Sequence, residues 1–395
     1  MGIMPFPSWL PLLLGFLTAV GPVSTDMYLP AFPAIEASLH GGPGSAQITL
    51  AAWFAGLAVG QITQGSLSDR FGRRGPLIVG TGLYTLASAG CALSPDLLTL
   101  SICRALAAFG GSASAVIPRA IVRDLADGHA AARLMSRLML VMGAAPILAP
   151  TLGGAVLTVA TWHMIFWIAT AYGAISVALV WFFLPDTLPR TDRVRLSLAD
   201  IIRRYAMIAR ERSFITHALM NGFAMFGMFA YIGGSPVFIE MFRISPEVYG
   251  MLFGLSAAGF ISASQINARI LPRFGSNRVL HWGVRAYLIA ALFLAGAALL
   301  HAPLPLLIAP IFVAMFSMGF VMPNATVGAL SRHAAHAGSA SALMGTLQFL
   351  LAAASGTMVG ILSDGTARPL ALMMVAGAAG AAIADRARPK PSSLT

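Results

Sequence analysis

The sequence predicts an all-α membrane protein with about twelve transmembrane helices in two pseudo-symmetric six-helix bundles. Three observations predict it. The 395 residues are 57% hydrophobic and 10% charged, with a mean hydropathy of +0.80, whereas soluble domains carry roughly 25% charged residues. Apolar windows of about 20 residues recur along the chain, each long enough at 1.5 Å per residue to cross roughly 30 Å of hydrocarbon. A short motif in the first half returns in the second. Backbone polar groups in lipid must be satisfied within the segment, so the windows are helices. The alternating polarity of a membrane barrel is not seen.

In chain order the windows fall at 9–33, 46–65, 75–94, 97–121, 136–159, 163–184, 214–239, 248–268, 279–300, 303–330, 340–362 and 367–384. The first, Trp9–Pro33, lacks a basic flank and is longer than a signal-peptide core, so it reads as a retained helix. It holds Asp26, the only acidic residue inside any of these windows. An ionisable group at membrane depth costs on the order of 3 kcal/mol or more and is a functional candidate by default; the plainer alternative is a helix cap near the outer interface. The third and fourth windows carry Cys91 and Cys103 near their outer ends, read as free thiols rather than a disulfide. The fourth also holds Arg104 and Arg119. The fifth is rich in Gly and Pro, including Gly143, Pro146, Pro150, Gly153 and Gly154. Small residues there permit close helix contact, and prolines bend the segment.

The chain divides at its longest polar stretch, giving an N-terminal six-helix bundle (1–184), a cytoplasmic linker (185–212), and a C-terminal six-helix bundle with a short tail (213–395). Ile201–Arg210 within the linker is either an amphipathic helix on the inner leaflet or a solvated connection. With both termini inside, the loops on the cytoplasmic side collect nearly all the arginines, and only Arg243 and Arg368 face the other way. The net charge of +11 is therefore an insertion signal and a match to anionic lipid, not a nucleic-acid footprint. Both bundles carry the same echo. Arg70-Phe71-Gly72-Arg73 follows the second window, and Arg273-Phe274-Gly275-Ser276 follows the eighth. Two parallel six-helix halves are a transporter architecture, with substrate bound near the midplane.

Gly65-Ser66-Leu67-Ser68-Asp69-Arg70-Phe71-Gly72-Arg73-Arg74 resembles the inner-loop signature of the major facilitator superfamily, with each defined position matched. In that light Gly65, Asp69, Arg70, Gly72 and Arg73 form a conformational motif: Gly65 for close helix approach, the charges as a network that breaks during transport. The fifth window is similar to the antiporter signature of the same superfamily. Thr25-Asp26-Met27-Tyr28-Leu29-Pro30-Ala31, the Arg119–Leu125 segment with Asp124, Asn324-Ala325 and Ala337–Ser341 resemble the bicyclomycin/chloramphenicol-resistance branch of drug:proton antiporters. One departure stands out. That branch commonly has a glutamine three residues after the fourth-span arginine, and here the position is Ala107.

The resemblance implies a proton-coupled efflux antiporter of the bacterial inner membrane, working by rocking-bundle alternating access on small, largely apolar, neutral or cationic drugs. Asp26 and Arg104 are the proton-coupling candidates. Counted inward from the window edges, both lie about 10 Å deep, within reach of one another across the bundle, the alternative being that Arg104 snorkels to the outer interface. Tyr28, Phe54, Tyr231, Asn324 and Gln348 are the candidates for substrate contact, in a sparse set of polar and aromatic residues at depth. The expected partners are drug, protons and membrane lipid, without nucleic acid, and the two-half chain is expected to act as a monomer. No cofactor, metal site or enzymatic constellation is expected: His333 and His336 lack acidic or cysteine companions, and a phosphate-binding Gly-rich loop is missing. A metabolite carrier on the same fold and a non-transporting membrane sensor remain the alternatives.

Overall fold

The computed structural model describes residues 7, 9–42, 44–125, 148–189, 191, 193, 198–333 and 337–389. Among these there is no strand, and nearly every ordered element is a helix. The first window is a broken helix, α1 (Leu10–Thr18), α2 (Val20–Thr25), a 3-10 turn (Leu29–Ala31) and α3 (Phe32–Ser38). Proline explains the breaks. Pro22, Pro30 and Pro33 cannot donate a backbone hydrogen bond and clash with the preceding turn. Then follow α4 (Ser45–Phe71), α5 (Arg74–Ala92), α6 (Leu97–Leu125), α7 (Leu148–Val159) and α8 (His163–Phe183). The second half contains α9 (Leu198–Arg210), α10 (Arg212–Gly234), the short α11 (Val237–Phe242), α12 (Pro246–Phe274), α13 (Ser276–Leu299), α14 (Leu304–Leu330), α15 (Ala337–Ile361) and α16 (Arg368–Arg386).

Nine helices among the described residues are long and apolar enough to cross a membrane. The windows at 75–94 and 248–268 hold α5 and α12, and α7 is the described part of the fifth, so each window contains a helix. The chain forms two compact units. One comprises Met1–Leu196 with Pro246–Gly254, the other Ser197–Ser245 with Leu255–Thr395. The same packing recurs in each. In the first α5 lies against α6 and α8, and in the second α13 lies against α14 and α16. The sequence echo has a structural counterpart too: Gly72 and Gly275 end α4 and α12 with φ of 92° and 74°.

Glycines bring α4 and α6 together, though not at the residue expected. A Cβ at Gly56 would lie 2.2 Å from the Ala105 carbonyl oxygen, and one at Gly60 2.1 Å from Ser112 Oγ. At Gly65 it would meet only Val116 Cγ1, at 3.8 Å. The close approach assigned to Gly65 is made at Gly56 and Gly60 instead, because at 3.6 residues per turn Gly65 lies on a different face of α4 from those two. The linker helix α9 is likewise more than a surface element. Ile208 is fully buried in a cluster with Phe214, Ala218, Ala329, Ala340 and Met344 of the second unit.

Candidate functional site

The break in the first span shapes the interior of the first unit. A helix interrupted in an apolar setting leaves carbonyls that need donors from elsewhere. Tyr172 on α8 donates its hydroxyl to the Phe16 carbonyl (2.5 Å) and the Leu17 carbonyl (3.2 Å). Arg104 on α6 donates Nη1 to the Ser24 carbonyl at 2.6 Å. The Arg104 guanidinium, 1% exposed, sits in an aromatic box, with its carbon 4.4 Å from the Tyr28 ring centre, 4.6 Å from Trp53 and 5.9 Å from Phe166. Such faces are electron-rich and attract a desolvated cation.

Asp26 is buried at the same break, where its carboxylate accepts from Thr25 Oγ1 at 2.9 Å. The expected ion pair between Asp26 and Arg104 is not formed. Similar depth by residue count did not bring them together, because Arg104 turns toward the backbone two residues before Asp26 and packs its faces against aromatic rings. Gly153 explains how closely α7 approaches this break. A Cβ there would lie 2.0 Å from the carbonyl oxygen of Met27, the neighbour of Asp26. Gly154 and Pro150 are also buried, whereas Gly143 and Pro146 lie outside the described residues.

A second constellation lies at the C-terminal ends of α4 and α6 in the same unit. Arg73, 2% exposed, holds Asp124 at the end of α6 with Nε at 2.7 Å and Nη2 at 3.2 Å. Two parallel N–H bonds of this kind are the strong geometry for a guanidinium. Its Nη1 reaches Asp69 at 2.5 Å and Ser68 Oγ at 2.9 Å, and its backbone N–H reaches Asp186 at 2.9 Å. Burial alone would lower the pKa of Arg73, but the hydrogen bonds and charges of Asp124 and Asp69 outweigh it and raise it. Asp186 also takes Arg193 Nη2 at 2.8 Å. Arg70 stays outside the hub, exposed over the Phe71 ring. All partners of Arg73 belong to the first unit, so the motif clamps α4, α5, α6 and the segment after α8 to one another.

The substrate-contact candidates separate. Tyr28 is buried with its hydroxyl on Thr49, and Phe54 is buried in the core of α4. Tyr231 is buried in the second unit and donates to Ser256 Oγ at 3.3 Å. Gln348 is half-buried on α15. Asn324 is committed elsewhere: its amide nitrogen donates to Asn267 Oδ1 at 2.7 Å, and its oxygen accepts from Ser276 Oγ at 2.8 Å. Ser276 follows Gly275 as Arg73 follows Gly72, so the second unit has a neutral hydrogen-bond network where the first has an ionic one.

Several features escaped sequence reasoning. Asp385, buried near the end of α16, pairs with His281 and with Arg388 at 2.5 Å. Asp26 is thus not alone among the carboxylates of apolar helices, and only the helix continuing to Arg386 reveals it. Glu211 caps α10 by accepting from the Phe214 N–H at 2.9 Å and also meets His333 at 3.2 Å. The role of Trp53 beside Arg104 carried no motif, only the pairing of an indole and a guanidinium at matching depth. The cysteines are free thiols, and the described residues contain no cluster able to hold a metal.

Residues 14–357 match the family profile described as Major Facilitator Superfamily. The chain belongs to that superfamily. It is 38% identical over 365 residues to the "Uncharacterized MFS-type transporter YdgK" of Bacillus subtilis (strain 168), covering 92% of this chain and 90% of the relative. It is 29% identical to the "Bicyclomycin resistance protein homolog" of Haemophilus influenzae, covering 92% of each, and 26% identical to the "Multidrug resistance protein MdtL" of Shigella dysenteriae serotype 1, covering 84% and 83%. These relatives support the branch that the motifs resemble. Among solved structures, a D-xylose-proton symporter matches with a TM-score of 0.73 at 15% identity over 98% of both chains. A bacterial homologue of the lysosomal transporter Spinster matches with a TM-score of 0.74, also at 15% identity, over 99% of this chain and 100% of that one. Both share the fold. This facilitator-superfamily chain is a multi-pass membrane transporter and not an enzyme.

Proposed function

We propose that the chain is a proton-coupled drug efflux antiporter of the bacterial inner membrane, with both termini cytoplasmic, acting as a monomer. The observation that carries the reading is Asp26, a buried carboxylate at the break of the first span with no ion-pair partner among the described residues. A carboxylate in that setting is a natural carrier of a proton across the membrane. The approach of Gly153 to Met27 ties its position to α7, so a shift of α7 reaches the carboxylate directly. Arg104 positions the broken helix through the Ser24 carbonyl rather than neutralising Asp26. The Arg73 hub ties the cytoplasmic ends of α4, α5 and α6 together within the first unit, so that they move as one body. The abundance of apolar surface and of pliable methionines, 20 in all, suits small, largely apolar, neutral or cationic drugs. Efflux is tested in cells stripped of their own pumps, with and without a proton uncoupler. Uncoupler-sensitive resistance and reduced drug accumulation are expected. Drug accumulation unchanged by expression of the protein across a broad panel overturns the reading.

A further inference from the structure

Arg104 commits only one of its nitrogens to Ser24. Its Nε and Nη2 are buried without a hydrogen-bond partner among the described residues, as is the indole Nε1 of Trp53. Both residues are 1% exposed, and both line one cavity. It has about 10 Å³ of room for the centre of a water-sized sphere, enough for a single small occupant. Ser24, Ser88, Cys91 and Ala107 form part of the remaining wall, which contains no carboxylate. Ala107 contributes only a methyl group to this wall, so it offers those N–H groups no acceptor.

We propose that this cavity binds one small monovalent anion of chloride size. A buried cation is costly unless paired as well as hydrogen-bonded. A water molecule would satisfy the N–H groups but leave the charge, and the aromatic faces offset it only in part. Asp26 is held by Thr25 and makes no ion pair with Arg104. A monovalent anion supplies both the acceptor and the countercharge, whereas sulfate would leave one buried negative charge uncompensated by the single guanidinium. The inference does not rest on drug efflux, since its test uses neither drug nor a proton gradient.

The test is thermal melting of the purified full chain in detergent, with chloride replaced by gluconate at constant ionic strength. Chloride and bromide are expected to raise the midpoint saturably, and sulfate and gluconate are not. Arg104→Gln should lose the response. Trp53→Phe, which removes one donor and keeps the charge, should shift half-saturation to about tenfold higher chloride. Identical melting of the wild-type protein in chloride and gluconate overturns the proposal, as does an equal response to sulfate. An unchanged chloride response in Trp53→Phe also counts against it. If Arg104→Gln does not fold, the anion series and Trp53→Phe decide.

Discussion

A single methyl group at Gly153 is expected to separate α7 from the broken first span. The Cβ of Gly153→Ala would lie 2.0 Å from the Met27 oxygen, 2.8 Å from its carbonyl carbon and 3.0 Å from its Cα. Ordinary heavy-atom contact needs roughly 3.5 Å, so the two segments must part by about 1 Å or more. All three neighbours are backbone atoms, and no rotamer change relieves the clash. Overpacking of this kind costs about 1–3 kcal/mol, against a helix-propensity gain of up to about 1 kcal/mol for replacing glycine by alanine. The control is Gly82→Ala in α5, where an added Cβ meets nothing within 4 Å. Thermal melting of the purified proteins should place Gly153→Ala several degrees below wild type and Gly82→Ala at or above it. Because Met27 adjoins Asp26, uphill transport by Gly153→Ala should fall further than its abundance. A Gly153→Ala protein with wild-type melting and wild-type transport would refute the packing argument.

Asp26→Asn is expected to abolish efflux driven by a proton gradient while leaving equilibrium drug binding intact; continued uphill accumulation with drug-induced proton movement would remove Asp26 from the coupling site. At the Arg73 hub Asp124→Asn should destabilise by about 1.5–3 kcal/mol. Asp69→Asn should cost no more than about 1 kcal/mol, because the Asp69 side chain is 50% exposed and that of Asp124 12%; melting curves in the reverse order contradict this ranking. Gly72→Ala should cost more than Gly275→Ala. Both occupy positive φ, which strains alanine by about 1–3 kcal/mol, but only at Gly72 does the new Cβ also meet a neighbour, Asp186 Oδ2 at 2.1 Å. Equal losses in thermal melts would show that Asp186 moves aside freely.

Sequence and structure agree on what is local. Hydropathy marks the helices because each span satisfies its own backbone in lipid whatever it packs against. The first window reads as one retained helix, but Pro22, Pro30 and Pro33 break it, because each lacks a backbone donor and clashes with the preceding turn. The Asp69–Arg73 motif was legible as a charge cluster, since the loop joining two adjacent helices leaves its residues few places to go. Other assignments failed where the answer depended on a distant segment. Gly65 is the motif glycine, yet Gly56 and Gly60 make the close contact, because the face that α4 turns toward α6 decides where a Cβ is forbidden. Asn324 has the polarity of a cavity residue but is consumed by Asn267 and Ser276.

The sequence by itself determined a twelve-window, two-half membrane transporter of the facilitator superfamily, together with the charged loop between its second and third windows, while the breaks in its first span appeared only in the structure. Tertiary structure alone decided the partners of the buried charges. Depth along a helix follows from counting residues, but the direction of a side chain depends on how neighbouring helices are rotated and where their backbones lie open. Arg104 and Asp26 lie at matching depth, and the open carbonyl of Ser24 and the rings of Tyr28, Trp53 and Phe166 claim the guanidinium first.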